Sequence, residues 1–167
     1  MLIEMRVSGL AIDPLTNTPI VILKDMEEKT AVPIWIGLFE ASAIATELEK
    51  VSFSRPMTHD LIHNILVSLD VKVTKIEIND LKDNTFFANI YFLKDGNTIM
   101  VDSRPSDAIA IALRENAPIF VDEKVVEKSR KLDLGDKKVM SLDKLKEENL
   151  EEFLENLSPD DFGKYKM

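Results

Sequence analysis

The chain has 167 residues, no cysteine and a formal net charge of -9. This length suits one domain plus an appendage, the absence of cysteine excludes disulfides and thiolate metal sites, and the acidity argues against a protein that coats nucleic acid through a broadly basic surface. No run of about 18 uncharged apolar residues is present, and residues 1–13 lack a signal-peptide layout, so we expect no membrane association and a cytoplasmic location.

The first 36 residues have the alternating pattern of β-strands. Apolar residues alternate through residues 3–12 but change face at Ser8-Gly9, which predicts a bulge in the first strand. Turn-forming residues at 13–19 precede a second strand. A third strand alternates around Pro33, and proline favours an edge position or a bulge because it cannot donate to a neighbouring strand.

Two helices are predicted after these strands. The first follows Gly37, and its apolar face is formed by Leu38, Ala41, Ala45 and Leu48. The second runs from about Thr58 to Asp70 and has the most regular pattern of the chain, an apolar stripe made of Leu61, Ile62, Ile65, Leu66 and Leu69.

Strands and helices then alternate irregularly to about residue 132. Strands are predicted at 71–79, 85–94 and 97–102, with a hairpin turn at Asp95-Gly96-Asn97, and they are followed by a helix at 105–115, a short apolar segment at 118–121 and a charged helix at 122–132. Runs of strands broken by helices predict an α+β domain with a mixed, largely antiparallel sheet and packed helices. Unpaired strand edges, that of Pro33 among them, predict a homodimer or a larger assembly.

The composition changes towards the end of the chain. We expect a domain at 1–131, a linker at 132–138 and an acidic, amphipathic helical extension at 139–167. The apolar side of the extension is formed by Leu150, Phe153, Leu154 and Leu157. The sequence does not indicate what partner the extension binds.

A Ser-Arg-Pro tripeptide precedes two of the predicted helices, at residues 54–56 and 103–105. Proline suits a first helical turn, and the hydroxyl and aspartate that follow suit helix capping. The arginines, Arg55 and Arg104, do not, because a cation meets the positive end of the helix dipole there. Either a neighbouring aspartate or a bound phosphate would compensate this charge. We therefore expect the two segments to lie together at one concavity.

His59 and His63 form a second candidate, since histidines four residues apart share one helix face, as in two-histidine zinc sites. The acid between them is Asp60 rather than glutamate, which shortens the reach of a general base. Both histidines lie at the border of the apolar stripe. That position favours hydrogen-bonded packing residues over metal ligands.

The acidic residues Glu40, Asp60, Asp102 and Asp107 form a third candidate. Most of them fall at a strand end or in a first helical turn. Carboxylates in such positions hold hard divalent cations together with substrate phosphate. They also serve simply as helix caps and solvated surface groups, and the sequence leaves both interpretations open.

Three segments resemble motifs of the bifunctional nuclease family: "PIWIGLFEASAIA", "RPMTHDLIHNIL" and "DSRPSDAIAIAL". The resemblance covers about residues 1–131. It implies an α+β domain that forms a wedge-shaped homodimer, with an active site proposed in a groove at the thick end and with activity on DNA and RNA. The family's motif positions correspond here to Glu40, Arg55, His59, Asp60, Asp102, Arg104, Ser106 and Asp107.

The resemblance and the residues together predict a phosphodiesterase that acts on DNA or RNA with the help of Mg²⁺ or Mn²⁺. In this interpretation Arg55 and Arg104 clamp phosphate, and His59 with Asp60 activates water or protonates the leaving oxygen. The predicted metal ligands are Asp102, Asp107 and Glu40. The alternative is a non-catalytic dimeric regulatory module whose Arg–Asp pairs lock the helices together.

Overall fold

The computed structural model describes residues 1–130 and the backbone of residues 140–141. The predicted linker, and the extension apart from these two residues, lie outside the described part. The strands are β1 (Leu2–Ile12), β2 (Pro19–Asp25), β3 (Ala31–Trp35), β4 (Lys72–Lys82), β5 (Thr85–Lys94), β6 (Asn97–Ser103), β7 (Ile119–Asp122) and β8 (Met140–Ser141), and the helices are α1 (Leu38–Leu48), α2 (Thr58–Ser68), α3 (Pro105–Glu115) and α4 (Glu123–Ser129).

The strands form one mixed sheet in the order β3-β2-β1-β7-β4-β5-β6, and β8 pairs with the far end of β1. All pairs are antiparallel except β4 with β7. The prediction of an α+β domain with a largely antiparallel sheet is confirmed. The apolar segment at 118–121 supplies β7, which joins the two halves of the sheet.

Two irregularities predicted for the first half of the sheet are present. The register between β1 and β2 shifts between Val7 and Gly9, where the apolar residues change face. Pro33 lies in β3, which is the edge strand beside β2. The missing N–H of proline therefore costs the sheet little at this position.

The second half of the sheet is built from two tight hairpins. Asp95 and Gly96 both have positive φ angles between the paired residues Lys94 and Asn97, as the sequence predicted. Asp83 and Asn84 form a second turn with positive φ angles, which was not predicted from the sequence. As a result β4 continues to Lys82 rather than ending at residue 79.

The core lies around α3, which packs on β4 and β5 between α1 and α2. Its small and branched side chains are buried from Ala108 to Ala112, so the helix can approach both the sheet and its neighbours closely. None of the helices in residues 1–130 has the length and hydropathy needed to cross a membrane.

The apolar faces predicted for α1 and α2 are only partly correct. The buried residues of α1 are Ala41 and Ile44, whereas Leu48 is exposed. In α2, Ile62 and Leu66 pack on the core, but Leu61, Ile65 and Leu69 are exposed. The physical reason is that α2 meets α3 through polar side chains, described below, which turns the rest of its stripe outward.

The last helix of the described part is shorter than predicted. The prediction placed it at 122–132, and α4 spans Glu123–Ser129. Asp122 is its N-cap residue, and its carboxylate accepts a hydrogen bond from the backbone N–H of Lys124, so the charge pattern had correctly marked the start of the helix.

Candidate active site

The Arg104 guanidinium stands at the beginning of α3 and is held by two carboxylates. Its Nε donates to Asp107 Oδ2 at 2.7 Å, and its Nη2 lies 2.7 Å from Glu40 Oε1. These contacts neutralise the cation that the helix dipole disfavours, and the Asp107 hydrogen bond keeps the pKa of Arg104 above its ordinary value. The sequence left open whether an aspartate or a bound phosphate compensates this charge, and the structure shows two side-chain carboxylates in contact with it.

The same network continues to α2 through His59, whose Nε2 lies 2.9 Å from Asp107 Oδ1. Partial burial by itself raises the pKa of the Asp107 carboxyl, but the hydrogen bonds from His59 and Arg104 and their charges lower it overall. Asp107 is therefore ionised and can only accept, so Nε2 of His59 carries the shared proton. Glu40, Arg104, Asp107 and His59 thus link α1, α3 and α2.

The side chains of this network differ in solvent exposure. The Arg104 side chain is 65% exposed, whereas Glu40 and His59 are 16% and 12% exposed. Two of the five N–H groups of the guanidinium are directed to the carboxylates, which leaves three for another acceptor. The arrangement presents a preoriented guanidinium to solvent, with a histidine–aspartate pair beside it.

Gly37 provides the space that the Glu40 carboxylate occupies. It is the N-cap residue of α1 and has an ordinary φ of -72°, so its backbone does not require glycine. A Cβ at this position would fall on Glu40 Oε2. The absence of a side chain at Gly37 is therefore what lets Glu40 fold back over the helix start.

Asp60 does not join this network, although the sequence predicted that it acts together with His59. Its Oδ2 accepts from the backbone N–H of Met57 at the start of α2, and its Oδ1 accepts from Arg114 Nε at 2.7 Å. The hydrogen bond from Arg114 is the main reason that the pKa of Asp60 is lowered. The Ser and Thr hydroxyls considered as caps play no part here, since neither α2 nor α3 has a hydroxyl cap.

Arg114 was not recognised from the sequence. Its side chain is 6% exposed and also donates to the backbone carbonyls of Ala43 and Ala110, so it ties α1, α2 and α3 together. The available signal was a single arginine seven residues after Asp107, on the same face of an otherwise apolar helix.

The two histidines of α2 have different partners. His63 Nδ1 lies 2.6 Å from Glu115 Oε1 near the end of α3, whereas His59 reaches Asp107 near its beginning. Each histidine is thus engaged with a carboxylate of α3, which agrees with the interpretation as packing residues.

Among the described residues, neither Arg55 nor Asp102 forms a hydrogen bond or ion pair with the four-residue network. Arg55 is exposed and makes no ion pair with the residues that the structure describes. Asp102 is in register with Asn89, and Asn89 with Glu77, so it lies on the sheet face opposite to that of Ala88, which α3 covers. The two Ser-Arg-Pro segments do lead into helices that meet, but it is His59 rather than Arg55 that makes the contact.

The three carboxylates predicted as metal ligands do not come together in this arrangement. Glu40 and Asp107 are both directed at Arg104, and Asp102 is on the other face of the sheet. Residues 1–130 contain no group of three or more His, Asp or Glu side chains placed to hold a metal ion. The arrangement of these side chains does not fit a metal ion. The metal requirement expected from the sequence stays a prediction.

Comparison with known proteins assigns this domain to a family. The sequence model of the bifunctional nuclease domain matches residues 21–133. This chain belongs to the bifunctional nuclease domain family. The match begins within β2, so β1 lies outside it although β1 pairs with both β2 and β7. All four residues of the network lie inside the matched part.

Relatives of this chain occur in bacteria and plants. An uncharacterized protein of Mycobacterium tuberculosis is 40% identical over 162 residues, which cover 95% of this chain and 97% of that protein. Bifunctional nuclease 1 of Oryza sativa subsp. indica is 27% identical over 110 residues, 63% of this chain and 33% of the plant protein. Bifunctional nuclease 2 of Arabidopsis thaliana is 27% identical over 108 residues, 62% of this chain and 32% of its own length. This chain thus spans about a third of the plant proteins.

Proposed function

We propose that this protein is a nuclease-type phosphodiesterase that hydrolyses DNA or RNA. The observation that carries the proposal is the network of Glu40, Arg104, Asp107 and His59, which combines an exposed guanidinium with a sheltered histidine–aspartate pair. Family membership and the plant relatives named bifunctional nucleases support the substrate class.

In this proposal Arg104 binds the scissile phosphate. The carboxylates of Asp107 and Glu40 hold the guanidinium in one orientation, and its remaining donors match the paired oxygens of a phosphate. The same donors stabilise the additional negative charge that develops on the phosphate oxygens in the transition state. The anion is recognised locally, which reconciles the proposal with an acidic chain.

His59 acts as the general base. Because its Nε2–H is donated to ionised Asp107, its lone pair is on Nδ1, and Asp107 fixes this tautomer. Nδ1 takes a proton from water as the water oxygen bonds to phosphorus, and the imidazolium then supplies a proton to the leaving ester oxygen as the P–O bond breaks. No step of this scheme is assigned to a metal ion.

The experiment compares His59→Gln with His63→Gln, two equal substitutions one helical turn apart. Purified wild type and both variants are assayed on single-stranded and double-stranded DNA and on RNA, with chelator and with added Mg²⁺ or Mn²⁺. We expect turnover to fall about 100-fold or more in His59→Gln and to change little in His63→Gln. An activity equal in all three preparations would come from a contaminant and would refute the proposal.

The regulatory-module interpretation makes the opposite prediction for the same variants. The Arg104 contacts with Asp107 and Glu40 join two helices, so in a non-catalytic protein they would serve only as a lock. His59→Gln would then lower the melting temperature without altering any phosphodiesterase activity. Measuring thermal unfolding beside turnover separates the two functions.

A further inference from the structure

The part of the chain that the structure describes exposes three large aromatic side chains. Phe39, Phe53 and Phe87 are 64%, 51% and 40% exposed. Single exposed apolar residues are common on protein surfaces and need no explanation. Two of these three, however, adjoin the four-residue network in the sequence, because Phe39 directly precedes Glu40 and Phe53 is six residues before His59. Their placement beside the candidate active site indicates that they meet a ligand there.

Phe39 lies within one residue of a group that holds Arg104. It is the second residue of α1, which begins at Leu38, and the next residue, Glu40, contacts Arg104 at 2.7 Å. The Glu40 carboxylate folds back towards Gly37, whereas the Phe39 side chain is largely in solvent. An aromatic face is therefore available close to the guanidinium that binds phosphate in the proposed function.

The connection from α1 to α2 contains Phe53 and a further cation, Arg55. His59 is the second residue of α2. An extended chain spans at most about 3.5 Å per residue, so the Cα atoms of Arg55 and Phe53 lie within about 14 Å and about 21 Å of the His59 Cα. A single strand advances about 3.4 Å per nucleotide. A strand with one phosphate at the network therefore reaches both side chains within about six nucleotides.

This connection is open to solvent over its whole length. All residues from 49 to 58 are exposed. The backbone N–H groups of residues 52–55 donate to no backbone carbonyl in the part of the chain that the structure describes. Backbone donors without an internal partner, next to an exposed guanidinium, suit an anionic ligand.

Arg55 differs from the other arginines of the first 120 residues in its charge environment. Arg6, Arg104 and Arg114 each form an ion pair with a carboxylate, whereas Arg55 has no such partner among the described residues. Residues 50–59 contain no Asp or Glu, although the chain as a whole has a charge of -9. A locally positive segment in an acidic protein matches the charge of a phosphate.

We infer that Phe39, Phe53 and Arg55 form a subsite for single-stranded nucleic acid beside the network. Bases stack on the two aromatic rings, and Arg55 binds a neighbouring phosphate of the strand that Arg104 holds. A duplex does not bind in this way, because its bases are stacked on one another, whereas a single strand can turn the faces of its bases to an aromatic side chain. The inference rests on the proposed function and deepens it, since it names single-stranded DNA or RNA as the substrate class.

The test measures the binding of a strand that resists hydrolysis, and it uses Phe87 as the control. Phe87 alternates with Ala88 along β5, and α3 covers the sheet face of Ala88, so Phe87 lies on the opposite face. The probe is a fluorescent, phosphorothioate-linked single strand of about 12 nucleotides, which is within the usual range of site sizes. Its affinity for the full chain is measured by fluorescence anisotropy and compared with that of the matching duplex.

Phe39→Ala and Phe53→Ala should each weaken binding of the single strand about tenfold, and Phe87→Ala should bind it like the wild type. The wild type should bind the duplex at least about tenfold more weakly than the single strand. Phe53→Trp should keep the affinity and Phe53→Leu should lose it, because leucine is apolar but has no ring on which a base can stack. Equal single-strand affinities in wild type, Phe39→Ala and Phe53→Ala, or equal affinities for single strand and duplex, overturn the inference.

Arg55→Gln gives an independent measurement through the salt dependence of binding. Each phosphate contact of a single strand contributes about 0.7 to the slope of log affinity against log salt concentration. The slope should therefore fall by about 0.7 in Arg55→Gln and stay unchanged in Arg6→Gln, since Arg6 is already paired with Glu28. An unchanged slope in Arg55→Gln refutes the phosphate contact of Arg55.

Failure of this inference can be distinguished from failure of the proposed function. If Phe39→Ala and Phe53→Ala weaken binding while His59→Gln turns over like the wild type, the subsite is supported and the nuclease proposal fails. If His59→Gln loses turnover while both aromatic variants bind like the wild type, the nuclease proposal stands and the subsite is refuted.

Discussion

The position of Arg104 at a helix start shows how much of a site can be predicted from one electrostatically unfavourable residue. A cation at a helix start predicts a compensating anion, and the structure supplies Asp107 from the same turn and Glu40 from another helix. The first partner is local and was foreseeable. The second depends on how α1 packs against α3, which no spacing in the sequence encodes.

We predict that Arg104→Lys lowers nuclease turnover on the order of 100-fold, because an ammonium group cannot keep two carboxylate contacts and also present paired donors to phosphate. The free energy of unfolding should change by less than about 1 kcal/mol, as is usual for exposed ion pairs. Arg6→Lys is the control, since Arg6 forms an exposed ion pair with Glu28 elsewhere. Steady-state kinetics and thermal unfolding of both variants check this, and equal losses in the two would argue against a special role for Arg104.

Gly37→Ala should displace the Glu40 carboxylate without unfolding the protein. The new Cβ meets the end of a flexible side chain rather than backbone, so the stability cost should stay within about 1 kcal/mol. Turnover should fall as it does in Glu40→Gln, and the double variant should be no worse than Glu40→Gln alone. Additive losses in this double-mutant cycle would show that Gly37 acts by another route.

At the scale of the elements, local sequence patterns were sufficient to predict most of the strands, helices and turns. The bulge near Gly9, the Pro33 edge and the turn at Asp95-Gly96 were predicted because each depends on a few neighbouring residues. The turn at Asp83-Asn84 was missed because it contains no glycine.

The sequence predicted only some of the residues that meet in the candidate site. The candidates Glu40, Arg104, Asp107 and His59 lie at or near the starts of helices, and they meet where α1, α2 and α3 adjoin. The sequence singled these residues out but did not predict that α1 takes part in the junction. Asp102 and Arg55 are not bonded to these residues in the described part of the chain: strand register sets the sheet face of Asp102, and the segment before α2 is exposed along its length. Sequence motifs mark such residues without fixing which way their side chains point.

β8 leads to a sharper version of the prediction that the extension is separable. Met140 and Ser141 pair with Ile12 and Ala11 of β1, so a chain ending at Ser141 keeps this strand, whereas a chain ending at Lys138 loses it. Both should fold cooperatively. The shorter one should melt a few degrees lower, because loss of the pairing between β8 and β1 lowers the free energy of unfolding by about 1 kcal/mol. Differential scanning calorimetry of the pair checks this. Failure of the longer one to fold would show that the later residues belong to the core.

At the scale of the whole molecule, carboxylates hold the helical layer together, and acid should therefore loosen it. The pKa values of Asp60 and Asp107 are lowered from the usual 3.8, so their contribution to stability is complete above that value and is lost as the pH falls through their lower folded-state values. Denaturant unfolding of wild type and Asp107→Asn between about pH 6 and about pH 3 should show a difference that narrows in acid. A difference that stays constant would mean that Asp107 does not stabilise the fold through its charge.

The position of β7 has a consequence for how the chain reaches its native state. β1–β3 and β4–β6 each form from strands that are neighbours in sequence, but they meet only where residues 119–122 insert between β1 and β4. During synthesis both meanders can therefore assemble while their facing edges are still open, and the sheet closes only after residue 122 has left the ribosome. Because that closure joins residues far apart in the chain, it is expected to be the slow step of folding, and substitutions in β7 should slow folding more than equal substitutions in β3.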